Sequence, residues 1–517
     1  MSDSLSEATA GRRRSRSRDG AERPSERHVD YRQLRNPFPP VPVFSSDRVE
    51  TIHQAALEVL ETLGMKVLLP EARQIYARAG ARVGESDQMV RIGREVVAEA
   101  LATAPKSIHC VAGARHRDLV LELGALAIQT GAGSPHATDL VHGRRPSSLS
   151  DYEDVVRLTQ HFDVLHMLNP AVEAQDVPTH LRHLAVNRVQ LMRSDKLPFL
   201  YARGTPQVED GFEMIRIARG IERPAFEARV HCYTIINTNS PRQLDIPMAQ
   251  GLIDFARAGQ MSVVTPFCLM GAMAPVSIAG ALTLSHAEAL AAITLTQLAR
   301  PGAPVCYGAF ASNVDLRSGA PAFGTPEQVK ANLGAGQLAR RLGLPWRCAA
   351  GSAANVNDAQ AANETQMSAW GALLAGATVL IHGAGWIEGG LTVSYEKLIT
   401  DLEVMQTFAE LCQPTPADDA ELALDALQEV APGGHFFAAQ HTMARYRTAF
   451  YEPLVADWSN YGTWTERGAK DANRRACEVW QRLLAATPET LIDSARTEAL
   501  DAFVGRRTEA GGAPPVS

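Results

Sequence analysis

From residue 126 to residue 385, eight short apolar runs alternate with eight stretches of helical periodicity, and few folds accept such a pattern. The runs occupy 126–133, 164–172, 199–204, 229–238, 262–270, 304–310, 346–352 and 378–385. Each is nearly continuous in apolar residues, as expected of strands buried on both faces of a parallel sheet. Helical spacing falls near 150–161, 177–194, 207–221, 241–258, 277–299, 325–342, 358–375 and 393–411. Ser150, Asp176 and Thr325 are placed to cap the starts of three of these helices. Parallel neighbours need crossovers of this length, usually through a helix. Eight such units in regular succession predict an α/β fold, a (β/α)8 TIM barrel, in preference to an open doubly wound sheet.

The flanks have different compositions. Residues 1–44 are rich in Arg and Ser (GRRRSRSRDG) and poor in apolar residues, and predict a disordered basic arm. Asp19, Glu22 and Glu26 interrupt its charge, which favours a solvated tail over a nucleic-acid-binding one. A helical and strand extension is expected over 45–125, the barrel over 126–412, C-terminal helices over 413–508 and a frayed tail over 509–517. The net charge of -7 gives no electrostatic reason for nucleic acid as a partner. No uninterrupted apolar run approaches the ~20 residues of a membrane span, and no secretory leader is read at the start. The seven scattered cysteines lack CxxC spacing and read as reduced thiols, so a cytoplasmic protein is expected.

In a barrel, chemistry lies just beyond the carboxyl ends of the strands. The residues found there include Asn169, Arg203, Asn237, Phe267, Tyr307, Phe310, Ser352, His382, Trp386 and Glu388. None of the chain's six lysines lies at a predicted strand end, which argues against a Schiff-base mechanism. Cys232, Cys268, Cys306 and Cys348 fall in four successive runs and can either converge on zinc or serve as small buried hydrophobes. The last run ends in HGAGWIEGG, whose glycines suit a phosphate, a flat ligand brought close to the backbone, or a tight turn alone.

Longer segments are more specific. MGAMAPVSIAGALTLSHAEALAAITLTQLARPGAPVCYG (270–308), NDAQAANE (357–364) and HGAGWIEGGLTVSYEKLITDLE (382–403) resemble the trimethylamine methyltransferase (MttB) family. So do LRNPFPPVP near the start, 143–158, and 464–484. The resemblance implies a (β/α)8 barrel moving a methyl group from a methylated amine to the Co(I) corrinoid of a separate corrinoid protein. Founding members contain pyrrolysine; this chain has only standard residues and resembles the branch that includes glycine betaine:corrinoid methyltransferases. On that resemblance, His382 and Glu388 are the expected catalytic residues. Tyr307, Phe310, Trp386 and Glu388 would surround a quaternary ammonium, with Arg203 or Asn237 for a carboxylate. His382, Gly383, Gly385 and Ser352 are expected on the cofactor side, with no metal ligand set. A homo-oligomer is expected. A betaine-binding barrel without catalysis and a zinc-dependent barrel methyltransferase stand as alternatives.

Overall fold

The computed structural model describes residues 31–487 and 489–516. Six strands form the centre of a seven-stranded sheet: β1 (Ala125–Ile128), β2 (Tyr233–Ile236), β3 (Met261–Val264), β4 (Val305–Gly308), β5 (Trp346–Ala349) and β6 (Val379–Ile381). They run parallel in the order β1-β6-β5-β4-β3-β2. Between β2 and β1 the chain supplies two irregular segments instead of strands. Phe199 bridges Tyr233 and Met167 bridges Leu197. The His166 N–H donates to the Ile128 carbonyl at 2.9 Å. Pro170 removes a main-chain donor from the first run and Pro198 one immediately before the second, and the expected strands 164–172 and 199–204 are reduced to isolated bridges. The result is an α/β fold with a distorted TIM-barrel-like core.

All eight predicted helices form: α1 (Leu149–His161), α2 (Thr179–Arg193), α3 (Thr205–Arg219), α4 (Ile246–Arg257), α5 (Ile278–Ala299), α6 (Pro326–Leu342), α7 (Ala359–Leu374) and α8 (Tyr395–Leu411). Thr325 caps α6 as expected, with Pro326 in its first turn. The cap of α1 is Ser148 rather than Ser150, and its partner in a capping box is Asp151. Pro178 precedes α2, and Asp176 accepts instead from the Leu149 N–H. The 22-residue α5 is apolar enough by length and composition to cross a membrane, but most of it is buried in the core.

Strand alternation decides which side chains face the centre. On β5, Trp346 and Cys348 join the outer core against the helices while Arg347 and Ala349 point inward. On β4, Val305 and Tyr307 point outward and Cys306 inward. The strand cysteines therefore lie on both faces of the sheet and do not converge. Among the described residues, no group of three His, Cys, Asp or Glu side chains is arranged to hold a metal.

Two flanks depart from expectation. Residues 1–30 of the expected arm lie outside the described residues, but 31–44 are packed: Leu34–Arg35 pairs antiparallel with Ala125 and Leu126, and Leu34 is buried. At the other end, the expected fray at 509–517 is absent as far as residue 516. The Ala513 N–H donates to the His180 carbonyl and the Val516 N–H to that of Arg203, with Ala513 buried. Small apolar residues in a Gly- and Pro-rich tail gave no periodicity by which to see this.

Candidate active site

At the carboxyl ends of the strands lies a cavity of about 410 Å³. Its walls carry Phe199, Tyr201, Phe267, Phe310, Trp386 and His382, with Arg203, Asn237, Glu173 and Arg347 as polar groups. Two expected strands supply much of this wall by splitting. The runs 262–270 and 304–310 each continue into a second strand, Phe267–Met270 and Phe310–Val314, which pair in parallel beyond the carboxyl ends of β3 and β4. Pro266 interrupts the first run, and the extra pieces carry Phe267 and Phe310 over the opening.

His382 and Trp386 form the most closely fitted part of the wall. Their rings stack at 4.3 Å with 23° between planes. The Ala132 N–H donates to His382 Nδ1 at 3.2 Å, and the Trp386 indole N–H donates to the Ala132 carbonyl at 3.2 Å. An Nδ1 that accepts leaves the proton of neutral imidazole on Nε2. Burial, helped by the nearby Arg347 charge, holds His382 well below its usual value and hence neutral. The indole lies in a slot between Gly131, Gly351 and Gly390, where a Cβ at any of the three would meet its ring or Cβ.

Arg347 is the unexpected residue. Its side chain is buried, its Nε and Nη1 have no hydrogen-bond partner, and no carboxylate pairs with it among the described residues. Its guanidinium lies over the Phe310 ring at 5.4 Å. Burial lowers it to about 10, so it is still charged at neutral pH. Sequence reasoning passed over it, although a lone arginine in an apolar strand run is itself a signal. Glu173 and Tyr201 were missed too. The Tyr201 hydroxyl donates to Glu173 Oε1 at 2.8 Å, and Arg182 and Arg203 lie 3.1 and 3.7 Å from the same carboxylate.

Of the ten residues expected in catalytic, substrate or cofactor roles, Arg203, Asn237, Phe310, His382 and Trp386 converge on the cavity. The other five do not. Tyr307 faces the helices and bonds His286 Nδ1 at 3.1 Å, because alternation turns it away from the centre. Glu388 accepts two arms of Arg144, at 3.0 Å each; burial alone would raise it, but these bonds hold it below the usual range. Gly383 and Gly385 are packed against the chain itself, toward Gln129 and Leu398, rather than forming a floor for a ring. Ser352 is buried and donates to Glu364 Oε2 at 2.7 Å.

That last contact belongs to a set. Glu364 on α7 also accepts from the Ala353 and Ala354 N–H groups, at 2.8 and 3.2 Å. Glu288 on α5 accepts from Thr238, Ser240 and the Arg242 N–H at 2.5–2.7 Å. Asp401 on α8 accepts from the Gly385 N–H at 3.0 Å and pairs with Lys397. Three helix carboxylates thus anchor the loops after β2, β5 and β6. The Glu364→Leu variant leaves two amides and a hydroxyl without their acceptor, and a stability loss of about 2–4 kcal/mol in urea unfolding is the expected result. The exposed Arg144–Glu388 pair is worth less: Arg144→Ala is expected to shift stability by no more than ~1 kcal/mol in the same assay.

Buried histidines set an acid limit. Burial lowers His53, His166 and His231 to about 4 and holds His286 and His382 well below the usual 6.5. Between those folded values and ~6.5 the unfolded chain binds protons that the native state does not, so stability rises with pH in that window and falls on acidification through it. Melting temperatures are expected to be level from pH 7 to 8 and to drop steadily below pH 6.5. A level profile down to pH 5 would contradict the neutral, buried placement.

Fold and cavity together define a barrel-like α/β protein with a small-molecule site at the carboxyl ends of its strands. Residues 9–512 match the model of the family described as trimethylamine methyltransferase (MTTB), and the chain belongs to that family. It is 30% identical over 472 residues to a "Glycine betaine methyltransferase" of Desulfitobacterium hafniense, covering 91% of this chain and 98% of that protein. It is also 30% identical over 456 residues to a "Trimethylamine methyltransferase MttB" of the same species, covering 87% and 90%. The Methanosarcina barkeri monomethylamine methyltransferase (MtmB) crystal structure shares the fold, with a TM-score of 0.50 and 9% identity over 92% of this chain and 89% of that one. Methyl transfer from a methylated amine is the class of reaction the family membership supports.

Proposed function

We propose that this chain, its distorted core closing as a (β/α)8 barrel, demethylates a betaine, a small molecule with a quaternary ammonium and a carboxylate. The methyl acceptor in this reading is the corrinoid of a separate corrinoid protein, in the cytoplasm. The observation that carries the substrate reading is Arg347, a buried charge with free donors opening on an aromatic cavity. A buried guanidinium without a carboxylate of its own is complementary to one brought by a ligand. Asn237, just beyond β2 and two residues past Ile235, adds a neutral donor to the cavity wall. Phe267, Phe310, Trp386 and Tyr201 are the aromatic residues of the wall that would surround the ammonium. The similarity to a glycine betaine methyltransferase points the same way.

The site chemistry then requires no proton transfer. The methyl C–N bond breaks, the electron pair remains on nitrogen, and a neutral tertiary amine leaves. A Co(I) corrinoid on its carrier supplies the nucleophile. This chain's residues hold the carboxylate, orient one methyl toward the opening and keep water from the cation. His382, neutral and with its Nε2–H turned away from the Ala132 amide, is a donor in the cavity wall rather than an acid.

Calorimetric titration with glycine betaine, choline and dimethylglycine tests the substrate reading. Choline keeps the quaternary ammonium and lacks the carboxylate, so it is expected to bind at least ~100-fold more weakly. Equal binding of choline and betaine sinks the reading. Incubation with betaine and the corrinoid carrier reduced to Co(I) should release dimethylglycine; tight betaine binding without release would leave a binding protein.

A further inference from the structure

One edge of the cavity already holds a cation. Arg203 lines the opening, and its guanidinium lies over the Tyr201 ring at 4.9 Å and 3.7 Å from Glu173 Oε1. Neither contact uses what a guanidinium has to offer. At 3.7 Å the carboxylate is beyond hydrogen-bond length, and none of the side-chain N–H groups of Arg203 donates a hydrogen bond among the described residues. The side chain is 48% exposed, so water weakens both attractions. Glu173 does not depend on it. The Tyr201 hydroxyl and Arg182 donate to the same carboxylate, at 2.8 and 3.1 Å.

A ring face with a carboxylate beside it suits a cation that has no donors at all. A quaternary ammonium is such a cation: it cannot hydrogen-bond, and it gains only from ring faces, nearby negative charge and loss of water. The place is fixed while its occupant is not. Tyr201 is held by its bond to Glu173 and by Phe199, packed edge-on at 5.0 Å. The main chain at Arg203 is tied by the Val516 N–H, which donates to its carbonyl at 2.9 Å, and Ala202 before it is buried. Only the Arg203 side chain is free to swing outward.

We infer that the Tyr201 ring and Glu173 form the ammonium subsite, and that Arg203 occupies it in the free protein as a displaceable arm. The assignment rests on the betaine reading for the substrate and narrows its cationic end to one ring and one carboxylate. An incoming ammonium replaces the guanidinium one for one, so the charge beside Glu173 is the same before and after. Arg203 therefore lowers affinity, the opposite of the carboxylate-holding role expected from its place at a strand end.

Calorimetric titration with tetramethylammonium, which has the cation and no carboxylate, tests the subsite apart from Arg347. Arg203→Ala is expected to bind it and glycine betaine about 5- to 10-fold more tightly than the wild type does. Arg203→Lys returns a cation to the ring face and should bring both affinities back toward the wild-type values. Tyr201→Leu should bind both ligands at least ~10-fold more weakly. Adding Arg203→Ala to that variant should bring no gain, since the arm then has no ring to vacate. Tyr201→Phe keeps the ring and drops the hydroxyl; tetramethylammonium affinity within ~3-fold of wild type separates loss of the face from misfolding. Weaker or unchanged tetramethylammonium binding by Arg203→Ala overturns the proposal. So does weaker betaine binding with tetramethylammonium unaffected, the mark of an arginine that holds a carboxylate. If the wild type takes tetramethylammonium with these responses but not betaine, the betaine reading falls and the ammonium subsite stands.

Discussion

Arg347→Met is expected to abolish betaine binding while making the free protein harder to unfold. The two effects have one origin. In the free protein the guanidinium is buried with two nitrogens unpartnered and no counter-charge among the described residues, a situation that costs several kcal/mol in general. Methionine fills much of the same volume without a charge, so a gain of about 1–4 kcal/mol is expected in denaturant unfolding. The bound state reverses the sign. A ligand carboxylate in the cavity then lacks its partner, and truncating one side of a buried charged pair costs about 2–5 kcal/mol, or roughly 30- to several-thousand-fold in affinity. Arg347→Lys should recover little, since an ammonium does not reproduce the planar fork. A destabilised Arg347→Met protein with normal betaine affinity would make the residue structural and remove the main support for a carboxylate substrate.

Gly351→Ala is expected to have the second largest effect. The glycine has φ +133, which alone strains any side-chain-bearing residue, and its new Cβ would run into the six-membered ring of Trp386. The indole cannot retreat, because Gly131 and Gly390 press on it from other sides. Loss of the His382–Trp386 stack should follow, seen as a change in tryptophan emission, a stability loss of about 3 kcal/mol or more, and at least ~10-fold weaker betaine binding. Gly143→Ala is the control: its φ is +68 but no atom lies within 4 Å of the added Cβ. If both variants lose the same stability, backbone strain accounts for everything and the slot has no energetic weight.

Much of this architecture could be read from periodicity. All eight helices lie within a few residues of their expected positions, because a 3.6-residue apolar repeat over four turns has few competing explanations. The strands were harder. Runs interrupted by Pro170 or Pro266, or preceded by Pro198, read as apolar throughout, yet proline broke or divided the pairing. At the cavity, proximity to a strand end anticipated the placement of His382, Trp386, Phe310, Phe267, Arg203 and Asn237. It failed for Tyr307, where in-or-out alternation matters more than distance from the strand end, and for Arg347, which sits inside the strand. Glu388 and Ser352 were misplaced because a sequence does not display the distant partner, Arg144 or Glu364, that takes up a side chain.

The carboxylates that reach back from α5, α7 and α8 separate the shape of the mouth from its chemistry. At Ala353, Ala354, Arg242 and Gly385 the anchored donor is a main-chain N–H, which every residue except proline supplies. A side-chain change at Ala353 or Arg242 therefore keeps the anchored donor, whereas Gly385, at φ +85 and packed against Leu398, cannot take a side chain without strain. A library that varies Ala353, Asn355 and Val356 and keeps Glu364 fixed should retain the fold. One that varies Glu364 should lose the fold first.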